Sequence, residues 1–233
     1  MKNQWFGDIN DYYKYGLLRL ITKYTGLKVG VCWMLTQDGG RKRDTKYLCQ
    51  PEIWRRYDPP LYDFLRHHVL ERNVHDIAKI ENPQILPGCW FHSETLGDDT
   101  EARQQYFDDF RRLVQACDLL FFDADTGMEV KSHRYGHKHS SKYLYWREVR
   151  EFYNLGYSLL IFQYHRRVKY EDFISSLRDE FVTNVRVRPL CSYRTKRVTL
   201  LLLAQSRHRA VFRELNEAMG RRWQGEIQVI SSQ

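Results

Sequence analysis

Two kinds of apolar spacing alternate along the chain and predict alternating helices and strands. Residues 9–24 place Ile9, Tyr13, Leu17, Leu20, Ile21 and Tyr24 at helical intervals, with Asp8 to cap the first turn and Gly26 to end the last. Lys28 to Leu35 is β-rich and reads as a first strand, followed by a polar glycine loop from Thr36 to Lys46. Over 51–81, Pro51, Pro59 and Pro60 punctuate a helical pattern carrying Leu61, Phe64, Leu65, Val69 and Leu70 on one face. Cys89-Trp90-Phe91-His92 forms a short strand leading to Ser93-Glu94, and Thr100 to Ala116 a helix with Phe107, Phe110, Leu113 and Val114 inward.

The strand over 118–123 is the clearest. Leu119-Leu120-Phe121-Phe122 is apolar on both faces, the mark of a strand inside a parallel sheet, and it stops abruptly at Asp123-Ala124-Asp125-Thr126-Gly127. A long basic loop (Glu129 to Ser141) leads to a helix over Lys142 to Leu155. A buried strand over Tyr157 to Gln163 and a helix over 170–181 come next. Val185 to Leu190 and Val198 to Ala204 read as two strands around a polar turn, a hairpin; a helix over 207–219 and a strand over Ile227 to Ile230 close the pattern. This order predicts a single α/β domain over residues 1–233: a doubly wound, mostly parallel, Rossmann-like sheet with an antiparallel hairpin near the C-terminus.

Composition narrows the class. With 42% hydrophobic and 15% aromatic residues in 233, the chain can fill one core. No apolar run approaches the roughly 20 residues of a membrane span. Met1-Lys2-Asn3-Gln4-Trp5 opens in polar sequence without a visible signal peptide, so a cytoplasmic location is expected. Cys32, Cys49, Cys89, Cys117 and Cys191 are odd in number, dispersed and without a CxxC pair, and are expected to be reduced. A formal charge of +8 favours RNA or DNA as partner. Basic residues cluster after predicted strands, and Lys131, Arg134, Lys138, Lys142, Arg166 and Arg167 are the expected phosphate contacts.

Ligands of open α/β sheets bind beyond the carboxyl ends of the strands, which is where Asp123 and Asp125 should stand. His165 follows another buried strand and should reach the same rim, a candidate for acid–base work beside them. Near the start, Gly7-Asp8-Ile9-Asn10-Asp11-Tyr12-Tyr13-Lys14-Tyr15 sets Asn10, Asp11 and Lys14 on one side of a helix. By itself this reads as a capped helix with a solvated polar face. His133, His137 and His139 read as solvated loop histidines, and Tyr143, Tyr145 and Trp146 as core.

Gly7 to Leu18 resembles the amino-terminal motif of the bacterial large-subunit ribosomal RNA adenine-N6 methyltransferases. In that register Asp8 replaces the family's Asn, Asp11 matches its Asp, Lys14 its Lys, and Tyr15 replaces its His. Leu120-Phe121-Phe122-Asp123 is similar to the strand entering the family's Asp-Pro-Pro-Tyr motif, with Asp123 at the motif's Asp. The resemblance implies a class I fold that binds S-adenosylmethionine and methylates an exocyclic amine of a nucleic acid or nucleotide. Asp123 would accept hydrogen bonds from the amine. Asp8, Asp11, Lys14, Gly39, Gly40 and Glu94 would hold the cofactor, Lys14 at its carboxylate and Glu94 at its ribose. On this reading Asp123→Ala abolishes activity and leaves the fold intact. Two features depart from the family: Asp123-Ala124-Asp125-Thr126 lacks the stacking aromatic, and Met34 stands where the cofactor loop has an acid. The pattern is also similar to a widespread set of bacterial proteins of unassigned function, which run Gly-Asp-Ile-Asn-Asp near the start and Phe-Phe-Asp-Pro-Asp-Asn-Gly in mid-chain.

Two other readings use the same residues. Asp123, Asp125, Glu129 and Lys131 have the residue types of a magnesium-dependent nuclease or phosphodiesterase. The altered glycine loop suits a binding protein without catalysis on the same scaffold.

Overall fold

Strict alternation along the central strands sends their side chains to two separate cores, and helices cover both. The computed structural model describes residues 1–39 and 43–231. Leu119 and Phe121 of strand β3 (Leu119–Phe122) enter one core, and Leu120 and Phe122 the other. Strand β6 (Ser158–Tyr164) does the same with Leu160 and Phe162 against Leu159 and Ile161. The first core is closed by α1 (Ile9–Thr25), α3 (Pro59–Arg66) and α7 (Arg209–Arg222), the second by α4 (Thr100–Leu113), α5 (Trp146–Asn154) and α6 (Tyr170–Val185). A single turn of helix, α2 (Pro51–Trp54), precedes α3.

The sheet has seven strands. β1 (Val29–Cys32) lies between β2 (Cys89–His92) and β3, both parallel to it, and β6 extends β3 in parallel. The hairpin of β7 (Cys191–Arg194) and β8 (Val198–Leu203) joins with β8 antiparallel to β6, and β9 (Gln228–Ser231) closes the far edge antiparallel to β7. The spatial order is β2-β1-β3-β6-β8-β7-β9. After β2 the chain passes back across β1 to β3, so the winding reverses at β1/β3 and opens a crevice beyond their carboxyl ends. A two-stranded parallel ribbon, β4 (Gly127–Met128) with β5 (Tyr143–Leu144), runs on from the acidic turn.

The α/β class, the doubly wound order and the terminal antiparallel hairpin agree with the pattern of the sequence, and some boundaries differ. The alternating Val185-Arg186-Val187-Arg188 was expected to begin a strand. Instead Phe173, Leu177, Phe181 and Val185 continue one buried helical stripe to Val185, where Arg186 ends α6 in the left-handed region, and the strand starts at Cys191. The helix expected from Lys142 starts at Trp146, because Tyr143 and Leu144 pair with the ribbon. Leu70 and Leu113, expected inward, are each 39% exposed: a wider π turn over His67–Glu71 rotates the first outward, and α4 ends at the second. All five cysteines are free. No helix among the described residues is long and apolar enough to cross a membrane.

Helix α1 departs most from its predicted single stripe. Asp8 caps it and Gly26 ends it as expected, but its residues from Asn10 to Leu18 are all buried, and Tyr24 is 54% exposed. Aromatic packing surrounds it: Tyr12 stacks on Tyr47, and both Tyr12 and Tyr13 meet the edge of Trp223. Gly16 permits this approach, since a Cβ there would come within 2.2 Å of Trp223 Cζ2. Gly16→Ala is therefore expected to lose about 1–3 kcal/mol through overpacking, outweighing the roughly 1 kcal/mol gain in helix propensity. Urea unfolding of the variant checks this; equal or greater stability would show that Trp223 moves aside freely.

Candidate functional site

The two sequence motifs meet at the crevice. Asp123, the first residue past β3, is tied to the sheet by its N–H donating to the Cys32 carbonyl at 3.0 Å. Its Oδ2 lies 2.7 Å from Lys14 Nζ, which is also 2.7 Å from Asp11 Oδ1 one turn earlier on α1. All three are buried, with Lys14 at 2%, Asp11 at 1% and Asp123 at 1% exposure. The polar face expected to be solvated is thus a core ion cluster, capped by the ring of Phe162 4.9 Å from the ammonium. Asp11 Oδ2 additionally accepts the Gly7 N–H at 3.1 Å.

Burial alone would lower the Lys14 pKa, but the charges of Asp11 and Asp123 hold it above its ordinary range. Burial pushes the Asp11 carboxyl up to about 6, helped by the charge of Asp123 and opposed by Lys14. The Met1 amino group donates to the carbonyls of Met34 and Asp123 at 3.1 Å each and stands 3.9 Å from Asp125 Oδ1. Asp125 Oδ2 is 3.5 Å from Thr36 Oγ1, while its buried Oδ1 has no hydrogen-bond partner.

Around these groups opens a cleft of about 860 Å³. Its walls include Asp8, Asp11, Lys14, Gly39, Asp123 and Asp125, all expected from the sequence, together with Lys142. Several are already committed. Asp8 accepts from the backbone and side-chain amides of Asn10 through Oδ1 and from the Asp44 N–H through Oδ2. The Gly39 N–H donates to Gln4 Oε1 at 2.8 Å. Gly40 lies outside the described residues. Met34 is buried in the left-handed region at φ 47°, and its N–H contacts Tyr106 Oη at 3.1 Å. Among the described residues, the chain after β1 is bridged at Leu35 to Thr95.

Other expected residues lie elsewhere. Glu94 is exposed just past β2, the edge strand, and does not line the cleft. His165 turns away from Asp123: its ring packs against Tyr170 and Phe173, where burial, then the nearby Arg194 charge, lower its pKa. Glu129 Oε2 accepts the Trp146 N–H at 2.9 Å, and with Lys131 and Arg134 it lines a separate hollow. The four residues of the nuclease reading thus do not converge, and no group of three or more His, Cys, Asp or Glu able to hold a metal occurs among the described residues. Lys138 and Arg167 are exposed, and Arg166 is 3.8 Å from Glu180 over the Phe173 ring.

Sequence reasoning missed Trp5, Phe162, Tyr164 and Arg197 as cleft walls. Phe162 and Tyr164 sit two apart at the carboxyl end of β6, a signal that was readable; Arg197, in the β7–β8 turn, had none. A different groove, of about 560 Å³, lies at the opposite end of the sheet beside the starts of β1 and β2. Its one carboxylate, Asp58, is already paired with Arg19 at 2.7 Å.

Two outcomes follow from the ion cluster. Lys14→Met leaves two buried carboxylates without their cation and should lose about 3–5 kcal/mol. That loss is read in chemical denaturation, and wild-type stability would show the cluster to be dispensable. Because Asp11 titrates higher folded than unfolded, the folded state holds the extra proton between about pH 4 and 6, and this contribution to stability falls as pH rises through that window. Asp11→Asn should remove it, leaving a flatter stability profile there; an unchanged profile would assign the titration elsewhere. No protein-family model, curated protein or solved structure matches this chain, so its function is read from its own residues.

Proposed function

We propose that the cleft binds S-adenosylmethionine and that the chain is a methyltransferase-like protein acting on an amine of a nucleic acid or nucleotide, of the adenine-N6 type. One observation carries this reading: Lys14 and Asp123, the anchors of the two matched motifs and 109 positions apart, touch at 2.7 Å on one cleft at the winding reversal of a doubly wound sheet. An antiparallel hairpin near the C-terminus is also what the class I type implies.

The cleft suits a ligand of this kind. Its volume lies within the roughly 300–1,000 Å³ range of small-molecule sites, and it offers aromatic walls in Trp5, Phe162 and Tyr164. Asp125 Oδ1, 3.9 Å from the Met1 ammonium, accepts no hydrogen bond and keeps that capacity for a donor on a ligand. S-adenosylmethionine supplies an electrophilic methyl group on a sulfonium. The chain's part is to hold the accepting amine in line with it and to exclude water. Asp123 does not have both oxygens available for this, because Oδ2 is held by Lys14. We therefore assign Asp123 to positioning the turn and Asp125 to the amine, accepting one of its N–H bonds so that the nitrogen lone pair faces the methyl. Tyr164 or Trp5 takes the place of the family's stacking aromatic, since Ala124 is fully buried and Thr126 has no ring.

A second reading, binding without catalysis, draws on the link after β1, where Met34 is buried and the Gly39 N–H is occupied. Calorimetric titration with S-adenosylmethionine and with magnesium, added separately, distinguishes these readings. Methyl transfer predicts binding of the first alone, and magnesium binding alone would turn the case to hydrolysis. Binding of the cofactor with no turnover on any adenine-containing substrate would favour the second reading. Asp125→Asn should lower turnover by roughly 10²-fold or more while retaining cofactor binding. Unchanged turnover would remove Asp125 from the mechanism. Asp123→Ala, by contrast, takes from buried Lys14 one of its two carboxylates, leaving Asp11 alone, and should destabilise the protein, contrary to the expectation from sequence that the fold would be unaffected.

A further inference from the structure

We propose that Lys131, Arg134, Arg147 and Arg150 form a hollow that grips the phosphate backbone of a nucleic acid while the cleft addresses one of its bases; this rests on the reading of the cleft above. Lys131 and Arg134 come from the loop beyond β4, Arg147 and Arg150 from the start of α5, and together they line a hollow of about 420 Å³. Arg147 and Arg150, three apart, project from the same side of the helix. All four are exposed.

The contacts of the two arginines are with neutral groups. The Arg147 guanidinium lies 4.3 Å over the Tyr135 ring, and Arg150 Nη1 is 3.5 Å from the Asn184 carbonyl. Glu129 is the acid on this wall. It is half-buried, its Oε2 is engaged by the Trp146 N–H, and burial raises its pKa. Four cations thus face one occupied carboxylate, an imbalance that a polyanion corrects. Tyr135 and Trp146 in the lining add aromatic surface.

The hollow is held in shape from behind. Fully buried Arg103 donates to both oxygens of Glu148 at 2.6 and 2.8 Å and to the carbonyls of Ser140 and Tyr143. Asp98 accepts the N–H groups of His139 and Ser141 and the Ser141 hydroxyl. The β4–β5 ribbon links hollow to cleft: Thr126 and Lys142 line the cleft, and Glu129, three residues beyond Thr126, lines the hollow. At about 3.3 Å per extended residue the two lie roughly 10 Å apart along the ribbon.

The test is binding of a short fluorescein-labelled single-stranded RNA, read by anisotropy between about 50 and 200 mM salt. Each lost phosphate contact should lower the steepness of log K against log salt by about 0.7 on a single strand, so Arg147→Ala with Arg150→Ala should lower it by about 1.4. Arg147→Lys with Arg150→Lys keeps the charges and should keep the wild-type steepness. If the alanine pair does not fold by circular dichroism, Lys131→Ala with Arg134→Ala gives the same reading from the loop. Absence of RNA binding by the wild type, or an unchanged steepness in the folded alanine pair, would overturn the proposal. So would displacement of the RNA by inorganic phosphate at matched ionic strength, which would make the hollow a site for free phosphate. Cofactor titration of the wild type reads the cleft separately. A failure there with the salt effect intact removes the methyltransferase reading and leaves the hollow standing.

Discussion

The ammonium of Lys14 between the carboxylates of Asp11 and Asp123 is the contact on which both fold and cleft depend. Removing charges from water carries a penalty of several kcal/mol per ion, offset only where each finds an opposite charge in good geometry. Here both distances are 2.7 Å, and the remaining Asp11 oxygen takes a backbone N–H. The pairing docks the first helix over the carboxyl edge of the sheet and fixes the turn that places Asp125. Wall of the cleft and core of the protein are the same atoms, so the site cannot be loosened without loosening the docking of α1.

A second buried pair, Arg103 with Glu148, does comparable work on the other face of the sheet. It joins α4 to the start of α5 and gathers the carbonyls of the basic loop that lies between them in sequence. The sheet is therefore flanked by two ionic clamps in otherwise apolar layers. One shapes the cleft, the other the surface beside it.

Much of the fold was legible because strand burial is written in local pattern. Cys89–His92 and Leu119–Phe122 were readable from apolar runs bounded by turn residues, and α1 from its cap and its glycine stop. The misplaced strand at 185–190 shows the limit. Val-Arg-Val-Arg alternates like a strand, but Val185 also completes a helical stripe reaching back to Phe173, and burial of that stripe decided the outcome. Asp123, Asp125 and Lys14 were recognisable as a group, whereas the burial of Asp123 and Lys14 was not. Acid and lysine three apart on a helix ordinarily mark a wet surface, and only the arrival of Asp123 from 109 residues away makes them core. Arg103 and Glu148, 45 residues apart, were hidden for the same reason. His165 and Glu94 were placed correctly at strand ends, but strand position alone does not determine which way a side chain turns.

The anchoring of residues 139–143 by Arg103 and Asp98 bears on how any partner would engage this surface. A loop rich in lysine and histidine would by composition be free to sample many shapes, and each residue fixed on binding would lose about 1–2 kcal/mol of backbone entropy. With the Ser140 and Tyr143 carbonyls and the His139 and Ser141 amides already satisfied from within, the ordering of that part belongs to folding rather than to association. A visitor arriving beside Ser140 and Tyr143 meets backbone that is already fixed, so its dwell time there reflects the contacts it makes and not the ordering of that segment.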